Sequence, residues 1–221
     1  MALSSNKRPG MQFIKKPLLI TLTVFLCIAV YGQDYPFAKD FTIGRITLRD
    51  GTQKLGYMKW FPAQEEKLIF RENSDGEKRK YKPEELQGFT SDTMKFISLS
   101  NFEVYAADYA LLGNKSNVKH SFGQLLDSGK FNIYLVYFSA YNALSGSMLS
   151  YPNILFEKKS DSGFLYAAYP VDIRMTDKKY EKAKEGLYLF FNGYPEIVEK
   201  IRLYKKQDSF FGVIDFIKNL N

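Results

Sequence analysis

Gly44-Arg-Ile-Thr-Leu-Arg-Asp-Gly-Thr-Gln-Lys-Leu-Gly-Tyr-Met-Lys-Trp60 is the stretch that decides the fold class. Ile46 and Leu48 alternate with polar residues before Asp50-Gly51, and Leu55 and Tyr57 alternate after it. A period of two is the mark of a strand with one buried face. Asp-Gly is a preferred pair for a two-residue turn, in which both central positions take φ > 0. The stretch therefore predicts a β-hairpin closed by Asp50-Gly51.

Strand signals continue downstream. Lys67–Arg71 reads as a third short strand, Asn73-Ser-Asp-Gly76 as a turn, and Lys78–Lys82 as a fourth strand. Pro83-Glu-Glu-Leu86 reads as one helical turn with proline at its start. Thr93–Leu99 is a further strand, and residues 118–129 predict a short helix ending at Gly129. Phe131–Phe138 is almost continuously apolar or aromatic, which predicts a strand buried on both faces. Tyr141–Pro152, with Ser145-Gly146-Ser147, reads as a loop. Ile154–Lys158 and Phe164–Tyr169 pair across Ser160-Asp-Ser-Gly163.

After Thr176 the period changes to 3.6. Tyr180, Ala183, Leu187, Phe190 and Phe191 share one helical face, with Asp177 as N-cap and Gly193 as terminator. Pro195 opens the next helix, with its stripe at Ile197, Val198, Ile201 and Tyr204. Ser209 caps a last helix carrying Phe210, Val213, Ile214, Ile217 and Leu220. Strands first and helices last predict an α+β chain: an N-terminal antiparallel β-sheet or small barrel-like meander, followed by about three C-terminal helices. The expected divisions are residues 1–32 as a signal peptide, 33–174 as a mainly antiparallel β region, and 175–221 as a helical region packed on it.

Upstream, Lys15-Lys16 precede Pro17 and a run of fourteen uncharged residues from Leu18 to Tyr31. A helix of that length covers about 21 Å, short of the ~30 Å bilayer core. Val30-Tyr31-Gly32 suits signal cleavage after Gly32, and Met11 offers an alternative start. An uncleaved anchor is the competing reading. A lipoprotein is disfavoured because Leu26 stands before Cys27, where a small residue is needed.

Removing residues 1–32 takes away four of the 31 basic residues and none of the 24 acidic ones, so the net charge falls from +7 to +3. That balance argues against a nucleic-acid partner. Cys27 is the one cysteine and His120 the one histidine, so the mature chain has no disulfide and no Cys/His zinc set. Aromatic residues make up 16% of the chain, which favours strands and large buried contacts.

Candidate chemistry is sparse. His120 beside Ser121 lacks the geometry of a nucleophile–base pair, and Gly146-Ser147-Met148 lacks the closing glycine of a nucleophile elbow. Gly113-Asn-Lys-Ser116 lacks the glycines that cradle phosphate. Glu72-Asn-Ser-Asp-Gly76 has calcium-like composition, but Arg71 and Lys82 would fill the first and last ligand positions of the twelve-residue loop. Lys78-Arg-Lys-Tyr-Lys82 reads as a solvated edge strand whose charges alternate between faces, with an anionic glycan or lipid surface as the functional alternative. The aromatic residues of 131–141 and 164–169 read as core ahead of a sugar-stacking platform. Glu65-Glu66 and Glu84-Glu85 are adjacent pairs that would diverge in a strand, whereas glycoside chemistry needs opposed carboxylates.

The spacing Gly44-x-Ile46-x-Leu48-x-Asp50-Gly51-Thr52, then Gly56-Tyr57, the apolar pair Ile69-Phe70, Tyr81-x-Pro83 and Leu86-x-Gly88-Phe89 resembles small exported proteins of unknown function common in Bacteroidota. Phe122, Leu125-Leu126, Gly129-Lys130 and Tyr134 look like their middle segment, and the likeness covers most of 44–221. The usual ending of that group has Tyr before a final Asn, where this chain has Leu220. The resemblance implies no activity and transfers no functional residue.

The expectation is an exported, periplasmic or cell-envelope protein acting as a non-enzymatic binding or structural module. A carboxylate-dependent hydrolase and a single-pass membrane-anchored envelope protein are the alternatives. No catalytic, cofactor-binding or metal residue is assigned. An envelope protein or a glycan is the partner class left open.

Overall fold

The computed structural model of the chain describes residues 36–61, 66–106, 114–142, 147–161, 163–169, 176–208 and 211–220. The expected signal peptide with its cleavage site lies outside the described residues, as do Glu65, Gly113, Gly146, Ser209 and Phe210. After a short helix, α1 (Pro36–Lys39), the chain builds one antiparallel sheet. Its strands are β1 (Thr42–Leu48), β2 (Gln53–Lys59), β3 (Leu68–Arg71), β4 (Arg79–Tyr81), β5 (Leu86–Ser91), β6 (Met94–Ala106), β7 (Asn114–Asp127), β8 (Asn132–Asn142), β9 (Ser147–Ser160) and β10 (Gly163–Tyr169). Their spatial order is β10-β9-β8-β7-β6-β5-β1-β2-β3-β4. Three helices follow: α2 (Asp177–Phe190), α3 (Pro195–Leu203) and α4 (Phe211–Lys218).

This corrects the expected fold class. The chain is not an N-terminal antiparallel sheet or small barrel-like meander leading into a helical end. A single ten-stranded antiparallel sheet dominates it, and strands run as far as Tyr169. Two misread segments account for the difference. Of residues 118–129, expected as a helix, 118–127 belong to β7. Phe122 and Gln124 face one side there, while Gly123 and Leu125 face the other, and Phe122, Gly123 and Gln124 are all buried. Burial on both faces erases the period of two and leaves an apolar spacing that mimics a helix. Tyr141–Pro152, expected as a loop, extends β8 and β9 through pairs such as Tyr141↔Met148 and Ser139↔Ser150.

The first hairpin also differs in detail. Leu48 N donates to Thr52 O (2.9 Å) and Gly51 N donates to Leu48 O (3.0 Å), which makes a three-residue loop of Arg49, Asp50 and Gly51. Gly51 takes φ +87°, and Asp50 is not among the described non-glycine residues with positive φ. This is the type I turn followed by a left-handed glycine, in place of the two-residue turn.

Across the first half of the sheet, β1 to the start of β6, one face is closed. Ile46, Met58, Phe70, Phe89, Phe96 and Phe122 are buried there. Phe37 of α1 and Trp60 complete the cluster, with Trp60 5.4 Å from Phe89 and 5.3 Å from Phe96 by ring centroid. Gly44 and Gly56 pair on this face, and a Cβ on either would run into Met58 or Phe70, so the two glycines make room for those side chains. The buried side of β2 is therefore the Gly56–Met58 side. Leu55 and Tyr57, the expected apolar positions, point to the opposite face.

The second half is covered on both sides. Followed across Phe96↔Gln124↔Leu135, the closed face becomes the side on which the helices pack. Phe131, Ile133, Ile154, Phe156 and Tyr169 meet Leu187, Phe191, Ile197, Ile201, Val213, Ile214 and Ile217 there. The opposite face is closed because the sheet curls until β10 lies beside β6. Leu99, Phe102, Val104, Tyr134, Val136 and Leu155 fill the curl, and Phe102 stands 5.9 Å from Tyr166. Asn101, at φ +56°, lies within β6 between the pairs Ser100↔His120 and Phe102↔Val118.

Buried polar ties hold the helices. Tyr169 and Tyr180 join hydroxyl to hydroxyl at 2.8 Å. The fully buried Lys184 donates to Tyr204 O (2.9 Å) and Arg202 O (3.3 Å), capping the C-terminus of α3. Lys158 donates to Phe190 O at the end of α2. The N-cap of α2 is Thr176, which accepts from Lys179 N (3.4 Å), and not Asp177. Pro195 stands at the start of α3. Among the described residues, no helix is long and apolar enough to cross a membrane.

Candidate functional site

The face that stays uncovered is the open side of β2, β1, β5 and β6. A groove of about 790 Å³ lies on it, lined by Ile43, Arg45, Leu55, Thr90, Lys95 and Ile97 among others. Opposed residues in antiparallel strands project to the same face, so the pairing writes out the surface in rows. One row is Leu55, Arg45, Thr90 and Lys95. The next is Arg71, Tyr57 and Ile43, and the third is Lys80, Ile69 and Lys59. Ile43 and Leu55 are 62% and 64% exposed, a costly placement for two apolar side chains on adjacent strands unless something covers them.

The charge on this face is mainly positive. Arg45 donates to Gln53 Oε1 (2.9 Å) and Lys59 to Lys39 O (2.6 Å), so neither spends its charge on a carboxylate. The Arg71 guanidinium stacks 4.2 Å from the Phe41 centroid and lies 5.6 Å from that of Tyr57, while Lys78 Nζ stands 5.6 Å from the same Phe41 ring. Arg71 Nε is buried without a hydrogen-bond partner. Asp92 is the acid in the groove lining.

A second polar centre sits inside the curled half. Glu157 is 5% exposed, and its Oε1 accepts from Asn132 Nδ2 (2.6 Å) and Tyr134 Oη (3.1 Å). Burial first, and the Glu157 carboxylate second, push the Tyr134 and Tyr166 phenols well above their ordinary range. Near this centre a small notch of about 150 Å³ opens between β6 and β10, lined by Phe102, Tyr105, Asn117 and Tyr166 among others. Burial likewise raises Tyr105 to about 12, and its hydroxyl donates to Ala183 O at 3.1 Å. Glu157 is the buried carboxylate among the described residues, and no second one faces it. Hydrolysis by paired carboxylates needs two. Among the described residues no group of three His, Cys, Asp or Glu side chains gathers that could hold a metal ion.

The other residues weighed from sequence lie apart. His120 is exposed on β7 opposite Ser100. Neighbouring strand residues project to opposite faces, so Ser121 points away from it. Asn73–Gly76 is a turn closed by Gly76 N to Asn73 O (3.0 Å), and Glu72 pairs with Lys54 at 2.6 Å. Glu84 and Glu85 sit on an exposed 3₁₀ turn, with Glu85 Oε2 accepting from Lys82 N (2.7 Å). Phe131 and Tyr134 are core, whereas Phe164 is 59% exposed. The basic run 78–82 places Arg79–Tyr81 on the edge strand β4, and Arg79 turns to the closed side opposite Phe70. The open face, which sequence reasoning missed, had one legible signal: β2 carries apolar residues at 55, 57 and 58, more than one buried face can take.

Comparison with known proteins finds no matching family model, no matching curated protein and no matching solved structure.

Proposed function

We propose that the chain is an exported cell-envelope or periplasmic binding module, non-enzymatic, whose working surface is the open face of β2, β1, β5 and β6. The observation that carries the reading is the pair Ile43 and Leu55, held exposed on adjacent strands beside Arg45 over a groove. Export rests on the uncharged run 18–31 behind Lys15-Lys16. The resemblance to exported Bacteroidota proteins supports the same compartment. Glu157, the buried carboxylate among the described residues, is engaged by Asn132 and Tyr134, which argues for a structural carboxylate over a hydrolytic one.

Cys27, the one cysteine, leaves with the signal peptide, so an introduced cysteine reports a single place. Leu55→Cys in the exported protein is expected to react with a maleimide more slowly in an envelope extract than when purified. Lys218→Cys, on the exposed side of α4, is expected to react equally in both. Equal rates for Leu55→Cys would remove the open face as the working surface. N-terminal sequencing is expected to read from Gln33, and a start upstream of residue 20 would overturn export by cleavage. Hydrolysis of a model glycoside or ester that disappears in Glu157→Gln would overturn the non-enzymatic reading.

A further inference from the structure

We infer that the open face takes an anionic polysaccharide, a sugar polymer bearing carboxylate or sulfate groups; this rests on the reading of that face as the binding surface. Six cations gather there from five segments: Lys59 from β2, Arg71 from β3, Lys78 and Lys80 at β4, Arg45 from β1 and Lys95 from β6. Among the described residues none of the six is in an ion pair. Like charges held on one face repel each other, and a ligand that supplies the missing anions relieves that repulsion.

Arg71 is the most built of the six. Phe41 and Tyr57 hold its guanidinium plane, and stacking of this kind leaves the in-plane N–H edge free for an oxyanion. The sequence could not show this cluster. Lys78 and Lys80 share a face, and only the sheet order brings Arg71, Lys59 and Arg45 alongside them.

The choice of a polysaccharide follows from the rest of the face. A concave groove fits poorly against a flat bilayer. The strands that line the groove, β2, β1, β5 and β6, each pair with a neighbour on both sides, so an extended peptide cannot add a strand there. Thr47, Gln53, Gln87 and Thr90 line the groove with hydroxyl and amide groups suited to sugar hydroxyls, and Ile43 and Leu55 offer apolar surface to ring C–H groups. From β4 to β6 the cations span six strands, roughly 24 Å at ~4.8 Å per strand, which suits a polymer better than a single sugar.

The test is calorimetric titration of the exported protein with polygalacturonate, dextran sulfate, neutral dextran, polyglutamate and anionic phospholipid vesicles. Polygalacturonate or dextran sulfate is expected to bind, and more weakly as salt rises from about 0.1 M to about 1 M and the Debye length falls from ~10 Å to ~3 Å. Arg45→Gln with Lys95→Gln is expected to weaken binding by roughly tenfold, about 1.4 kcal/mol, with an unchanged melting curve. Lys218→Gln is expected to leave it unaltered. Binding of polyglutamate or vesicles in place of both acidic polysaccharides, or no binding at all, would overturn the inference. Neutral dextran bound as tightly, and released by Ile43→Asp, would keep the open face and reject the anion. Acidic polysaccharide bound equally by the double variant and by Ile43→Asp would reject the face itself.

Discussion

The two halves of the sheet are built from the same kind of strand and end in opposite conditions. In the second half β8 and β9 are buried on both faces, one under α2, α3 and α4 and the other inside the curl of the sheet. From β1 to β5 one face is buried under Phe37 and Trp60, and the other meets solvent with Ile43 and Leu55 on it. A half covered on both sides can only be core. The half with a bare face can hold a ligand, because its backbone is already satisfied by ladder hydrogen bonds and its closed side supplies the stability.

The sharpest way to break this contrast is to remove the helical cover. Deleting residues 208–221 strips Val213, Ile214 and Ile217 from Ile133, Ile154 and Phe156, and each such side chain contributes about 1.5–3 kcal/mol as an upper estimate. The truncated protein is expected to lose cooperative unfolding in a calorimetric scan; an unchanged transition would mean α4 is not core. Phe89→Ala tests the closed face of the first half. Phe89 stacks on Phe96 at 4.6 Å and meets Trp60 and Phe122, so a loss of about 3–5 kcal/mol is expected by urea titration.

Alkaline pH separates the halves by their buried phenols. Tyr105 and Tyr169, which tie sheet to helices in the second half, both have their pKa raised by burial, Tyr105 to about 12. A group raised in the folded state contributes stability that is complete below its unfolded pKa and fades as pH climbs toward the folded value. Unfolding free energy is therefore expected to hold to about pH 10 and fall between about 10 and 12, by up to ~1.4 kcal/mol per pH unit for each such tyrosine, read by urea titration across that range. Tyr105→Phe should shallow that fall, and an unaltered slope would remove Tyr105 from the account. The smallest effect belongs to the bare face: Leu55→Ser is expected to change stability by less than about 0.5 kcal/mol. A larger loss would show Leu55 to be core.

Local chemistry made much of this legible in the residues alone. Gly51 had to take a positive φ beside Asp50, Pro195 had to open a helix, and Phe131–Phe138 had to be a strand buried on both sides; each depends on near neighbours or on the residue's own covalent structure. The burial of Val213, Ile214 and Ile217 followed from their spacing in the same way. What the residues could not disclose was every decision made between distant segments. Whether 118–129 coils or extends depends on which partners Phe122 and Gly123 meet, and both β6 and β8 lie on either side of it. The parity of β2 turned on Gly44 and Gly56 clearing space for Met58 and Phe70, which freed Leu55 and Tyr57 to face outward. The gathering of Arg45, Arg71, Lys80 and Lys95 on one face was likewise set by strand order. Hydrophobic burial is indifferent to sequence separation, so only the assembled sheet determines which of two apolar faces closes and which is left for a ligand.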